Sequence, residues 1–148
     1  MAGGAGVEYY FGYTLPQNDL GCQDWRSRDE SWKYAGIALD FFNQHIPFWE
    51  MKNQNDLIGN PENTNEKYCL AKPGEMYLVY LPSGGTTDLN LENLNHSYSI
   101  RWFNPRTRGE LKKGSIENIK GPGKINIGLP PEEVEKDWAV LINSNSSN

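Results

Sequence analysis

The chain has 148 residues, of which 12% are aromatic, and a formal net charge of −5. That length suits one ordinary domain or a small domain with an appendage, and the aromatic content excludes wholesale disorder. Lys and Arg are scattered, with no basic block longer than Lys112–Lys113, so no nucleic acid partner is expected. No apolar run approaches the roughly 20 residues that span a bilayer, and the first residues lack the basic and apolar regions of a signal peptide, so neither a membrane segment nor a leader is expected.

A Gly/Ala-rich start leads into Val7–Tyr13 (VEYYFGY), a predicted strand with aromatic residues on both faces. Two-sided apolarity suits a parallel strand covered on both sides. A polar loop follows from Thr14 to Asp29, with Cys22 and Trp25 embedded in it. Ser27 and Glu30 have the spacing of a capping box and predict a helix to about His45, which Pro47 ends. Trp32, Ala35, Leu39, Phe42 and Ile46 recur at steps of three and four and predict its apolar face. Residues 1–52 thus read as strand, loop and helix, one βα unit, whose lone strand has unpaired backbone on both edges.

Residues 53–66 are rich in Asn, Gly and Pro and read as a linker or long surface loop. Beyond them, strands are predicted at Lys67–Ala71, Met76–Leu81, Thr86–Leu91, Ser97–Phe103, Ser115–Ile119, Lys124–Ile127 and Trp138–Ile142. Lys72-Pro73-Gly74-Glu75 has the Pro and Gly positions of a type II turn. Such short strands with regular turns predict an antiparallel β-sandwich over residues 67–143, followed by a disordered polar tail at 144–148. The expected fold is therefore mainly β, a sandwich preceded by one βα unit.

Tyr77, Tyr80, Tyr98, Trp102 and Trp138 lie in alternating strands, where core packing is the expected role and glycan stacking the rival. Asn104-Pro105-Arg106 reads as a corner braced by a carboxylate, and Asp137 as a strand-entry residue. Cys22 and Cys69 are expected as buried free thiols, with a disulfide as the alternative. No metal is expected, because the cysteines are far apart and only His45 and His96 could join them. No cofactor is expected either: Gly3-Gly4-Ala5-Gly6 precedes a strand, whereas a dinucleotide fingerprint follows one. Ser-His-Asp chemistry is not indicated. Asn95-His96-Ser97 and Asn145-Ser146-Ser147 match the glycosylation pattern, which is common by chance.

The segments AGGAGVEYYFGY, DLGCQDWRSRD and ALDFFNQHIPFWEM resemble the last βα unit of a TIM barrel in the apiosidase-like bacterial glycoside hydrolases. YCLAKPGEMYLVYLPSGG, YSIRWFNPRTRGEL and GLPPEEVEKDWAVLI resemble the domain that follows such barrels, described as a "putative collagen-binding domain of a collagenase". The resemblance covers roughly residues 2–143. It implies that Met1 is an internal methionine, that the partner of this chain is an upstream barrel, and that the parent family is secreted or periplasmic. It would place Glu8 and Tyr10 on a barrel strand, and Asp19, Asp24, Trp25 and Arg26 in a loop at the barrel mouth, as candidate substrate-side residues. For each of these a structural role stands beside the functional one: a buried ion pair for Glu8, a loop plug for Trp25, local pairing for the charges.

Glycosidic cleavage needs two carboxylates flanking one bond, and a barrel supplies its catalytic groups from several strands. With one such strand, the chain alone is expected to carry no catalytic residue. Its sandwich is expected to pack on the barrel and stabilise it. The rival is an independent module that binds polysaccharide or collagen. A third reading is a self-standing protein whose first strand pairs with a second copy.

Overall fold

The computed structural model of the chain describes residues 29–145. The predicted strand Val7–Tyr13, the loop after it and residues 146–148 lie outside the described residues, and so do the site candidates Glu8, Tyr10, Asp19, Asp24, Trp25 and Arg26.

Helix α1 spans Asp29–His45. Asp29 and Glu30 sit in its first turn and His45 in its last, the charge order that its dipole favours. The chain then crosses β1 (Lys52–Asn53), β2 (Tyr68–Lys72), β3 (Met76–Leu81), β4 (Asp88–Asn90), β5 (Ser97–Phe103), β6 (Asn118–Lys120), β7 (Lys124–Asn126) and β8 (Trp138–Ser144). Six strands form one antiparallel sheet in the order β1-β2-β3-β8-β5-β6, and β4 pairs with β7 in a second. The Lys72–Glu75 turn closes as its residues predict: Gly74 has φ +88°, and the Glu75 N–H donates to the Lys72 carbonyl at 3.0 Å.

The large sheet is covered on both faces. On one face Tyr77, Val79, Tyr98, Ile100, Trp102, Trp138, Val140 and Ile142 meet Leu89, Leu91 and Ile127 from the small sheet and its flanks. On the other, Leu70, Leu78, Phe103, Ala139 and Leu141 meet Ile37 and Phe41 of α1, with Ile46 and Met51 beyond it. This explains why MYLVYL and WAVLI read as unbroken apolar runs: alternate residues supply two different cores. Of the five aromatic residues expected in the core, Tyr77, Tyr98, Trp102 and Trp138 are buried, while Tyr80 is half-buried at the edge of the helix.

The helix turns inward a face that only partly matches the one its spacing suggested: Ile46 is buried and Phe42 packs on the core, but the residues that dock on the sheet are others. Ile37 and Phe41 are buried, and Phe41 stacks on Phe103 at 4.3 Å. Leu39, expected on the buried face, is 52% exposed, and Trp32 is 43% exposed. The sequence holds two apolar stripes, and the sheet takes the one that runs through Ile37 and Phe41.

Residues 53–66, read as a linker or surface loop, include a folded lobe. Asn53 pairs with Leu70 at the start of the sheet, and Leu57 and Ile58 enter the core between the sheets. Asn60 is 3% exposed and acts as a hub. Its Nδ2 donates to the carbonyls of Thr64 (2.8 Å) and Lys67 (2.6 Å). Its Oδ1 accepts from the Thr64 backbone N–H and hydroxyl, both at 2.8 Å. Asn55 Oδ1 accepts the Cys69 N–H at 2.7 Å. Cys69 itself is a buried free thiol, and burial pushes it up from its ordinary 9.0 to about 12.

Candidate functional site

Among the described residues, two hollows bring polar and charged side chains together. The first lies between α1 and the outer face of the large sheet and has a volume of about 350 Å³. Its walls are apolar, from Phe41, Phe42, Leu78 and Phe103, and its polar end is made by Tyr34, Tyr80, Arg106 and Asp137.

The polar end is built by a corner and a strand entry. Asn104 Oδ1 accepts the Arg106 N–H at 3.0 Å and fixes the turn that Pro105 stiffens. The Arg106 guanidinium then reaches across to the approach of β8. It donates to Asp137 Oδ1 at 2.7 Å, to the Asp137 carbonyl, and to Glu133 Oε2 at 2.7 Å. It also lies over the Trp138 ring, 5.5 Å from its centre. Tyr80 donates to the other Asp137 oxygen at 3.2 Å. Burial, then the Asp137 charge, pushes the Tyr80 phenol up to about 12. At the mouth, the Glu30 carboxylate raises the phenol of Tyr34. The expected roles of Arg106 as a braced corner and Asp137 as a strand-entry residue both hold, and each is the partner of the other.

The second hollow, of about 480 Å³, lies beside the turn at Phe48–Glu50 and the β2–β3 turn. Lys72 sits between Glu50 (2.9 Å) and Glu75 (2.7 Å). Their hydrogen bonds, Glu75 first, hold its ammonium above the ordinary value, and Lys72 in turn holds Glu50 below the usual carboxylate range. His96 and Asn143 complete this wall.

In both hollows the carboxylates are already tied to a cation. A glycosidase acid needs the opposite, a carboxyl kept protonated by an apolar pocket. Among the described residues no group of three or more His, Cys, Asp or Glu is placed to hold a metal ion. Sequence reasoning found Arg106 and Asp137 but missed Tyr34 and Phe42 as groove walls. Phe42 stood on the apolar face that the spacing named, and the signal for Tyr34 was in the second helical stripe, where Tyr34, Ile37 and Phe41 follow one another at steps of three and four.

Comparison with known proteins places this architecture. A solved structure named "Glycoside hydrolase" matches with a TM-score of 0.62 at 13% identity, over 85% of this chain and 28% of its own. A glycoside hydrolase family 5 protein from Bacteroides vulgatus ATCC 8482 matches with a TM-score of 0.59 at 12% identity, over 80% of this chain and 25% of its own. At such identities the likeness is one of fold, and the chain spans about a quarter of those structures. No curated protein matches the chain. A family model, in contrast, matches residues 53–143, which hold all eight strands except the first residue of β1 and the last of β8. The chain belongs to the family described as "Putative collagen-binding domain of a collagenase".

Proposed function

We propose that this chain is a non-catalytic accessory part of a glycoside hydrolase, with its β domain packed through α1 on a catalytic barrel that it stabilises. The observation that carries this reading is the two-sided helix. One stripe of α1 is spent on the sheet through Ile37 and Phe41, and Leu39 on another stripe is 52% exposed. A helix apolar on both sides suits a layer between two bodies. The fold likeness to much longer proteins named glycoside hydrolases supports the same reading. So does the pairing of Asp137 with Arg106, and of Glu50 and Glu75 with Lys72, which leaves neither hollow with a free acid and base.

The test is hydrolysis of p-nitrophenyl glycosides and soluble polysaccharides by the 148-residue chain. The expected result is no turnover above background. Turnover that disappears on Asp137→Asn or Glu75→Gln would place catalysis in this chain and overturn the proposal. Leu39→Asp should leave the stability of the isolated chain within about 0.5 kcal/mol, as for surface positions generally.

A further inference from the structure

We propose that the polar cleft beside the Phe48–Glu50 turn binds a neutral sugar residue of a glycan chain, with Trp49 as its stacking face. Trp49 is 72% exposed, more than any other large apolar side chain among the described residues. It is nevertheless held in place. Its Nε1 donates to Glu50 Oε1 at 3.2 Å, and its ring meets Phe48 edge-on at 5.2 Å. Exposing a fixed indole costs free energy that a partner would recover. Glu50 lines the cleft and gives one carboxylate oxygen to Lys72 and the other to the indole N–H, so Trp49 is tied to a residue of the wall.

The cleft suits hydroxyl groups. A hydroxyl both donates and accepts, so its site needs fixed donors and acceptors with little net charge. Lys72 is pinned by two carboxylates, and its ammonium has three N–H groups, of which Glu50 and Glu75 take two. Asn143 and His96 add side-chain amide and imidazole groups to the same wall. A sugar ring presents C–H groups on its face and hydroxyls at its rim. The face matches an indole and the rim matches this wall. Two carboxylates against one ammonium disfavour phosphorylated or carboxylated ligands. A volume of about 480 Å³ lies within the range of small-molecule sites. A collagen-like peptide would instead need a groove walled by several aromatic residues. This cleft sets Pro47 and Met76 among Glu50, Lys72, Glu75, His96 and Asn143, and among the described residues no Phe, Tyr or Trp lines it.

The inference does not depend on how α1 packs, and calorimetric titration of the full chain tests it. The probes are cellohexaose, xylohexaose and mannohexaose, with a triple-helical Pro-Hyp-Gly repeat peptide as the polypeptide arm. The expected result is saturable, millimolar-range binding of at least one hexasaccharide. Trp49→Ala should weaken it about tenfold, or roughly 1.4 kcal/mol, and Glu75→Gln should weaken it severalfold. Leu39→Asp should leave it unchanged. Both active variants change exposed side chains, and a thermal melt checks that each is folded. The proposal is overturned if no hexasaccharide saturates by about 10 mM, a contact worth under roughly 3 kcal/mol. Equal binding by Trp49→Ala also overturns it, as does binding of the peptide in place of the sugars.

Discussion

Replacement of Arg106 by alanine should be the most costly single change at the polar end of the groove, and its size can be built from the structure. The Asp137 arm is a charged hydrogen bond at 2.7 Å between side chains only 23% and 26% exposed. Such a bond contributes about 1.5–3 kcal/mol. The Glu133 arm, also 2.7 Å, ends on a carboxylate 53% exposed. Solvent screening reduces it to about 0.2–1 kcal/mol. The guanidinium over Trp138 adds about 0.5–1 kcal/mol. The sum is about 2–5 kcal/mol, or a Tm lower by roughly 10 °C for a chain of this size. Urea unfolding followed by far-UV circular dichroism measures it without relying on Trp138 as reporter. Arg106→Lys keeps a charge but not the fork, and should lose about half as much. Glu133→Gln should cost under about 1 kcal/mol. The reasoning fails if Arg106→Ala costs under about 0.5 kcal/mol, or if Glu133→Gln costs as much as Arg106→Ala.

Asn60→Ala removes an amide that satisfies four polar groups in the lobe, and should cost about 2–4 kcal/mol by the same unfolding assay. Asn60→Asp should be no better, because an oxygen would then face the Thr64 and Lys67 carbonyls. Phe41→Ala should cost about 3 kcal/mol, at the low end for a buried Phe because the groove borders it; Leu39→Ala should stay within about 0.5 kcal/mol. A result in which the two are equal would mean that the helix docks through its other stripe. Stability should also fall on the alkaline side. Cys69 and Tyr80 have folded values raised above their ordinary 9.0 and 10.0, each to about 12. Their contribution is complete below about pH 9 and is lost between about 9 and 12, where the unfolded chain deprotonates first. Tyr80→Phe should remove the share of that decline that begins near pH 10 and Cys69→Ala the share that begins near pH 9, each leaving the other's. Unchanged profiles would contradict the burial argument.

The strands were legible because local chemistry and tertiary demand agree in them. Tyr98, Ile100 and Trp102 alternate and are fully buried on one face. Pro73 and Gly74 specify the turn that forms. The helix face was not legible. Periodicity finds a stripe, but α1 has two, and only the sheet beside it decides which is buried. Phe103 shows the same limit, since its alternation partners Ser99 and Arg101 are half-exposed while it stacks on Phe41. In the 53–66 segment, Asn, Gly and Pro signal turns equally well in linkers and in folded lobes. What distinguishes this one is side-chain bonding to backbone, as at Asn60 and Asn55. The Arg106–Asp137 contact joins residues 31 apart, a distance that spacing rules do not reach. The clefts share that origin, being formed where segments remote in sequence meet.

On the function proposed above, this chain serves a catalytic barrel and is not itself the catalyst. The most direct measurement reads the DNA 5′ of the Met1 codon, then compares the polypeptide that frame encodes with and without residues 53–148. The account predicts an open frame encoding roughly 250 residues of βα repeats. It predicts hydrolytic activity that survives removal of residues 53–148, and a lower Tm without them. An in-frame stop codon directly before Met1, or hydrolysis by the 148-residue chain alone, would contradict it.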